Sequence, residues 1–249
     1  MTRLIFVSLL AVVSCSSAPS AVATATPRAT PAPTLFVTTS APTASPSPAA
    51  AAFRYVAVGA SDTVGVGASD PHTGSWPARL AARLPAGTEY LNLGVSGSIA
   101  SQAAREQLPA AIAARPQLVT IWLAVNDLNA NLSAADYAAA LRSVVAPLVS
   151  GTTARIFVGD VPDLRSVPAY AGTDQSALLA RITAYNAAIA ALTATFAGRV
   201  TVVDLFTGSG PLVSTITVSA DGFHPSDAGY ALIADRFAAA IAGAGIVVR

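Results

Sequence analysis

The stretch that decides the fold is RYVAVGASDT, residues 54–63, in which an apolar run gives way abruptly to small and polar residues. Arg54–Val58 is short and almost wholly apolar, a pattern that predicts a strand buried on both faces. Gly59 and the Ser and Asp that follow are typical of a turn. The first element of the domain is therefore predicted to be an inner strand of a sheet whose carboxyl end carries polar groups.

The same alternation of short apolar runs and longer Ala-rich stretches continues to the end of the chain. The predicted strands are Arg54–Val58, Tyr90–Leu93, Leu118–Ala124, Ala154–Val158 and Val200–Asp204. The predicted helices are Trp76–Leu84, Ile99–Arg115, Ala134–Leu148, Gln175–Phe196 and Ser226–Ala242. Strands that alternate with helices predict an α/β fold with a parallel sheet between two helical layers. We expect a flavodoxin-like three-layer α/β/α sandwich with a five-stranded parallel sheet in the order 2-1-3-4-5.

The first residues have the pattern of an export signal. A basic residue precedes the apolar run Leu4–Val13, which is too short to span a bilayer as a mature helix. Val12–Cys15 resembles the bacterial lipobox, in which a lipid is attached to the cysteine, so residues 1–15 are predicted to be an export signal ending at the lipid-attachment residue Cys15. The alternatives are cleavage after Ala21–Ala23, or a Cys15 that is simply a small apolar residue.

A low-complexity stretch rich in Ala, Thr, Ser and Pro follows at residues 16–52. Such a composition buries too little apolar surface to offset the entropy of ordering the chain, so it predicts an extended tether. The globular domain is predicted to begin at Phe53 and to extend through residue 249. An exported cell-surface lipoprotein, or otherwise a secreted protein, is the localisation that this layout predicts.

The composition excludes several functions. The net charge is +1 and charged residues make up only 11% of the chain, which argues against nucleic acid as a partner. All basic residues are Arg, which removes a P-loop Lys, a Schiff base and a Ser–Lys pair. One Cys and two His leave no disulfide framework and little for a metal site. We therefore expect no metal and no cofactor, and contact with a membrane only through an N-terminal lipid anchor.

Residues with polar side chains or an accessible backbone N–H follow four of the predicted strands, at the sheet edge where ligands bind in this fold class. They are Ser61, Gly94, Asn126 and the pair Asp221 and His224. A Ser hydroxyl becomes a nucleophile when an imidazole takes its proton, and a carboxylate orients that imidazole. The oxyanion that forms needs fixed N–H donors. These residue types, gathered at one edge, predict acyl transfer.

The four groups occur in the order and in the local sequences that name the SGNH hydrolases, also called GDSL-type esterases and lipases, and the chain resembles this family from about Tyr55 to its end. The matching blocks are Gly59–Thr63, Asn92–Gly94, Ala124–Asp127 and Asp221–Pro225. The resemblance implies a serine hydrolase that cleaves an ester or thioester without a metal. It implies catalytic roles for Ser61, Asp221 and His224, and an oxyanion hole made by Ser61, Gly94 and Asn126.

Two positions depart from the family pattern, because Ala60 stands where Asp is usual and Ala124 where Gly is usual.

Alternatives to an esterase or lipase remain: a deacetylase of surface carbohydrate with the same mechanism, or a binding lipoprotein with little turnover. The partner is accordingly a small-molecule, glycan or lipid ester. Asp127 is interpreted as structural, and His72, in a predicted loop outside the four blocks, as a solvated or rim residue.

Overall fold

The structure is a computed structural model and describes residues 52–249. The predicted export signal with Cys15, and all of the predicted tether except its last residue, lie outside the described residues. The predictions made for that part of the chain therefore stay predictions.

The sheet has the predicted order. Its strands are β1 (Arg54–Gly59), β2 (Glu89–Asn92), β3 (Leu118–Trp122), β4 (Arg155–Gly159) and β5 (Val200–Val203). All four neighbouring pairs are parallel and the order is β2-β1-β3-β4-β5. Since consecutive strands run in the same direction, every carboxyl end lies at the same edge, and the fold prediction is confirmed.

Helices connect the strands. In the described part of the chain they are α1 (Ser61–Val64), α2 (Pro71–Gly74), α3 (Trp76–Ala81), α4 (Ala100–Glu106), α5 (Leu108–Ala113), α6 (Val125–Asn129), α7 (Ala134–Gly151), α8 (Gln175–Ala194) and α9 (Asp227–Gly243). Short 3-10 turns follow β4 and β5. The long helices match the prediction within a few residues.

The two faces of the sheet pack against different helices. Alternate residues of β1 point to opposite sides, so Val56 and Val58 belong to one apolar core and Tyr55 and Ala57 to the other. The first core includes side chains from α4, α5, α7 and α8, and the second includes side chains from α3 and α9. This is the three-layer arrangement expected from the sequence.

One predicted helix is divided. The prediction of a single helix over Ile99–Arg115 is corrected, since α4 and α5 meet at Gln107. Pro109 has no N–H to donate to the carbonyl of Arg105, so the hydrogen-bond ladder is interrupted there. The break has a consequence at the sheet edge, because Gln107 is buried with 2% of its surface exposed and its side chain is turned toward β1.

Helix α8 is long and apolar enough to cross a membrane by length and composition alone. In the structure it lies against the sheet, and Leu178, Ile182, Tyr185 and Ile189 are buried in the first core. A helix with one buried stripe and an Arg at position 181 is typical of the outer layer of an α/β fold.

Candidate active site

The turn between β1 and α1 presents Ser61. β1 ends at Gly59, where a Cβ would lie 2.7 Å from the carbonyl oxygen of Trp122 and closer still to Thr63, so only glycine fits. Ser61 begins α1 immediately afterwards and is 7% exposed. Its N–H has no hydrogen-bond partner among the described residues. The strand therefore delivers a hydroxyl and a free backbone donor to the sheet edge.

The loop before α9 carries the other two predicted catalytic residues. A short antiparallel bridge joins Val218 to Pro225, and Ser219 N–H donates to the carbonyl of His224 at 2.8 Å. The ring of Phe223 meets that of His224 edge to face, with centroids 4.7 Å apart. The backbone bridge and the aromatic contact together restrict the position of the imidazole.

The structure brings Ser61, His224 and Asp221 into one hydrogen-bonded row. Ser61 Oγ lies 2.9 Å from His224 Nε2, and His224 Nδ1 lies 2.6 Å from Asp221 Oδ2. With Nδ1 protonated and donating to the carboxylate, Nε2 is left as an acceptor for the Ser61 hydroxyl. The row has the order of hydroxyl, imidazole and carboxylate that acyl transfer by a serine needs.

The charge on Asp221 is stabilised by its surroundings. Partial burial by itself raises the pKa of this carboxyl. Hydrogen bonds from His224, from the N–H of Phe223 and from the Ser219 hydroxyl outweigh that effect, and they hold the pKa well below its usual range. Asp221 is therefore a carboxylate throughout the pH range in which an imidazole titrates.

Asn126 lies on α6, which begins directly after an unusual backbone conformation. Ala124, the residue before this helix, has φ 81° and ψ −46°. This is a region that favours glycine, so the departure from the family pattern noted in the sequence places a Cβ under backbone strain. Asn126 Nδ2 donates one N–H to the carbonyl of Ser98 at 3.0 Å. The amide has a second N–H, which is available to a ligand.

Gly94, the expected oxyanion donor, lies in a loop that uses its N–H internally. Gly94 N–H donates to Asn92 Oδ1 at 2.9 Å and is therefore occupied. Gly97, three residues later, has φ 79°, open space where a Cβ would stand, and an N–H with no partner among the described residues. It precedes Ser98, the residue that contacts Asn126. The free donor of this loop is Gly97; the second glycine of Gly94–Gly97 was the available signal in the sequence.

Gln107 is a residue of the site that sequence reasoning missed. Its Nε2 donates to the carbonyl of Gly59 at 2.9 Å and to Ser98 Oγ at 3.2 Å. Its Oε1 accepts the Gly59 N–H at 2.9 Å. One buried amide thus joins the end of β1, two residues before Ser61, to the loop that contacts Asn126. No family block contains Gln107, and its distance along the chain from Gly59 hid the contact.

A cavity of about 130 Å³ lies beside this row of residues, between α1, the carboxyl ends of β3–β5 and the start of α9. It is close in size to engineered cavities that hold benzene. The chain neighbours of Ser61, Asn126 and His224 form part of its wall: Asp62, Val125, Phe223 and Pro225. The rest of the wall is mainly apolar, so the cavity suits a small apolar group of a substrate.

Asp127 and His72 are not part of the hydrogen-bonded row formed by Ser61, His224 and Asp221. Asp127 is fully buried, and both of its carboxylate oxygens accept the N–H of Ala100 at the start of α4. This contact supports the interpretation of Asp127 as structural. His72 is exposed on α2, and its described hydrogen bond joins its backbone to Asp70, not to Ser61. Over residues 52–249, no group of His, Cys, Asp and Glu side chains is arranged to hold a metal ion.

Comparison with known proteins gives a family for the chain. A model of the GDSL-like lipase/acylhydrolase family matches residues 57–232. Comparison with curated proteins gives no match.

Several solved structures have the same fold. TesA is 22% identical with a TM-score of 0.63, over 77% of this chain and 99% of that one. The acetyl xylan esterase AlAXEase is 16% identical with a TM-score of 0.61, and the match covers 76% of this chain and 100% of that one. A third is the psychrotrophic esterase EstA from Pseudoalteromonas sp., whose structure was solved with monoethylphosphonate as inhibitor. It is 17% identical with a TM-score of 0.59, and the match covers 76% of this chain and 97% of that one.

Proposed function

Because the chain belongs to the GDSL-like lipase/acylhydrolase family and is therefore an ester-hydrolysing enzyme, we propose that Ser61 is its nucleophile, His224 its base and Asp221 the residue that orients His224. The observation that carries this proposal is the continuous row Ser61 Oγ, His224 Nε2, His224 Nδ1 and Asp221 Oδ2, with separations of 2.9 and 2.6 Å. Both contacts are within hydrogen-bond reach, as general-base catalysis requires.

In the first half of the reaction, Ser61 Oγ attacks the ester carbonyl carbon while its proton passes to His224 Nε2. The imidazolium that results is stabilised by Asp221, which remains ionised. The negative charge on the former carbonyl oxygen is met by the N–H groups of Ser61 and Gly97 and by the free N–H of Asn126. His224 then gives its proton to the alcohol oxygen as the C–O bond breaks, and the acyl group stays on Ser61.

In the second half, a water molecule takes the place of the alcohol. His224 Nε2 accepts a proton from this water as its oxygen attacks the acyl carbonyl. The bond to Ser61 Oγ then breaks, the proton returns from His224 to Ser61, and a carboxylic acid is released. Every proton transfer uses the same nitrogen, so the reaction needs no metal or cofactor.

Labelling with a fluorophosphonate tests the nucleophile. The chain offers a matched control, since the sequence Gly-Ala-Ser-Asp at 59–62 recurs at 67–70, where Ser69 is exposed. We expect wild type and Ser69→Ala to be labelled, and Ser61→Ala and His224→Ala to be labelled hardly at all. Equal labelling of Ser61→Ala and wild type would overturn the assignment.

The cavity points to short aliphatic esters. Its volume exceeds what an acetyl group fills and its wall is mainly apolar, which favours an acyl chain of a few carbons. A panel of p-nitrophenyl esters from acetyl to palmitoyl, with acetylated sugars beside it, tests this preference. We expect the highest kcat/KM near butyrate. A maximum at acetylated sugars would favour the deacetylase instead, and no turnover of any ester would favour a binding lipoprotein.

We further propose that the enzyme is exported and carries a lipid on Cys15. The support is the sequence alone: a short apolar run, a lipobox-like Val12–Cys15, and a Pro-rich stretch that would hold the domain away from the membrane. Mass spectrometry of the mature N-terminus tests it. A lipidated Cys15, lost in Cys15→Ala, is expected, whereas an unmodified chain that begins near Thr24 would contradict the anchor.

A further inference from the structure

Asp62 is a carboxylate that the proposed reaction does not use. It follows Ser61 on α1, is partly buried, and lines the apolar cavity beside the nucleophile. Its carboxylate gains a hydrogen bond from its own backbone N–H, and no other residue in the described part of the chain donates to it. An ionised carboxyl in such a place costs free energy unless it gains a donor.

The polar groups around Asp62 are engaged elsewhere. Tyr170 and Tyr230 lie near enough to feel its charge, but the Tyr170 hydroxyl donates to Asn129 and the Tyr230 hydroxyl to the carbonyl of Val66. A phenol has one O–H, so neither can also donate to Asp62.

The charged groups of the cavity wall are also committed. Asp163 pairs with Arg165, and Arg236 donates to the carbonyls of Asp204 and Thr207. His224 has its two ring nitrogens directed at Ser61 and Asp221. Beyond its own N–H, the Asp62 carboxylate is therefore open to a donor from water or from a ligand.

Burial is the main influence on the ionisation of Asp62. It raises the pKa of this carboxyl to about 6, while the nearby His224 and the hydrogen bond from its own backbone N–H lower it and the negative Asp221 raises it. At neutral pH the group is mostly ionised, so the cavity wall presents a charged acceptor.

The acyl half of the ester is the part that fits this cavity. It stays covalently attached to Ser61 through both half-reactions, and the cavity wall contains the chain neighbours of Ser61, Asn126 and His224. The loop Val95–Gly97 is exposed and does not line the cavity, so it leaves an open route for the departing alcohol.

We propose that Asp62 is a specificity-determining residue that selects esters whose acyl chain carries a hydroxyl or another hydrogen-bond donor over plain alkyl chains of the same size. Because Asp62 is adjacent to Ser61, with consecutive Cα atoms about 3.8 Å apart, the donor must lie within a few bonds of the carbonyl carbon. The proposal rests on the proposed function, since the acyl group is placed by its bond to Ser61.

Two esters of nearly equal shape test this selection. p-Nitrophenyl 3-hydroxybutyrate and p-nitrophenyl 3-methylbutyrate differ by a hydroxyl in place of a methyl group. We expect wild type to prefer the hydroxy ester in kcat/KM at pH 7.5. In Asp62→Leu the ratio of the two kcat/KM values should fall on the order of 10- to 100-fold, the range for a hydrogen bond to a charged group. Taking a ratio cancels losses common to both substrates.

The pH dependence separates selection from a structural role. The ratio should decrease in wild type as the pH falls through about 6, because a protonated Asp62 is a weaker acceptor. Asp62→Asn, which keeps an acceptor oxygen, should show a smaller ratio that no longer varies with pH. Asp70→Asn, in the second Gly-Ala-Ser-Asp sequence, should behave as wild type.

An unchanged ratio in Asp62→Leu, or a wild-type preference for the methyl ester, would overturn the selection while leaving the esterase intact. Full activity of Ser61→Ala would instead overturn the proposed nucleophile. The two proposals therefore fail on different measurements.

Discussion

Gln107 holds Gly59 by both of its backbone polar groups, with the N–H and the carbonyl oxygen each 2.9 Å from the Gln107 side-chain amide. Gly59 ends β1 two residues before Ser61. The same amide also donates to Ser98, whose carbonyl accepts the N–H of Asn126. A single buried side chain therefore connects the turn that carries Ser61, the proposed nucleophile, with Asn126, a proposed oxyanion donor.

Replacing Gln107 is expected to affect both stability and activity. Gln107→Leu leaves the buried N–H of Gly59 without a partner, while the Gly59 carbonyl keeps the N–H of Val95 at 3.1 Å, so the expected cost is about 1–3 kcal/mol in the free energy of unfolding. It should also lower kcat more than it changes KM, because the two donors are then misaligned in the transition state. Urea unfolding and ester hydrolysis measure the two effects.

Gln117 supplies a matched control at the other end of the same strand, where its Oε1 accepts the N–H of Arg54. Gln117→Leu removes a comparable hydrogen bond far from Ser61, so it should lower stability and leave kcat close to that of wild type. If Gln107→Leu also retained the wild-type kcat, Gln107 would serve stability alone.

Gly67 fixes the distance between the segment after α1 and the loop that carries His224. It has φ 95°, and a Cβ at this position would lie 2.6 Å from the carbonyl oxygen of Pro225. Gly67→Ala must therefore push Pro225 and His224 away from Ser61, and we expect kcat/KM to fall at least tenfold, since a small misplacement of catalytic groups is costly.

Gly87 separates this contact from backbone strain. It has φ 81° but nothing within 4 Å of a Cβ, so Gly87→Ala carries a similar conformational cost without displacing a neighbour. Its kcat/KM should stay near that of wild type, although its melting temperature falls. A comparable loss of activity in both variants would contradict the role of the contact with Pro225.

The predictions from sequence were best where a local pattern determines the outcome. Short apolar runs and their alternation with helices gave the strand order, since parallel sheets require buried strands and long crossovers. The spacing of Asp221 and His224 placed a carboxylate within reach of an imidazole.

The sequence predicted less well the parts of the site whose geometry depends on contacts between distant segments. Nothing in the local sequence distinguishes Gly94 from Gly97 as a hydrogen-bond donor. The difference is the side chain of Asn92, which accepts the N–H of Gly94. The role of Gln107 depends on a break in a helix and on a partner in another strand. Neither contact leaves a periodic or local signal.

Ala124 stores backbone strain, and glycine should relieve it. A non-glycine residue at φ 81° and ψ −46° costs about 1–3 kcal/mol, whereas glycine loses about 0.5–1 kcal/mol of chain entropy and a buried methyl is worth about 0.8 kcal/mol. The net effect of Ala124→Gly on the free energy of unfolding should therefore lie between a loss of about 1 kcal/mol and a gain of about 2 kcal/mol.

Ala103 is equally buried but lies within α4, with an ordinary helical backbone. Ala103→Gly has no strain to relieve and should lose about 1–2 kcal/mol. Denaturant unfolding of the two variants measures the difference, and equal losses would show that Ala124 is not strained.

Asp127 should make the protein less stable as the pH rises. Burial raises the pKa of this carboxyl to about 6, and the hydrogen bond from the Ala100 N–H only partly opposes the effect. The pKa in the unfolded chain is about 3.9, so the folded state binds this proton more tightly. The stabilisation is complete below about pH 4 and is lost as the pH rises through 6, by about 2–3 kcal/mol.

Asp127→Asn removes this contribution and should flatten the free energy of unfolding between pH 4 and 7. The slope should not vanish, because burial also raises the pKa values of Asp62 and Asp160 to about 6. Urea unfolding at a series of pH values measures the slope. An Asp127→Asn slope equal to that of wild type would mean that Asp127 keeps its proton no more tightly when the chain is folded.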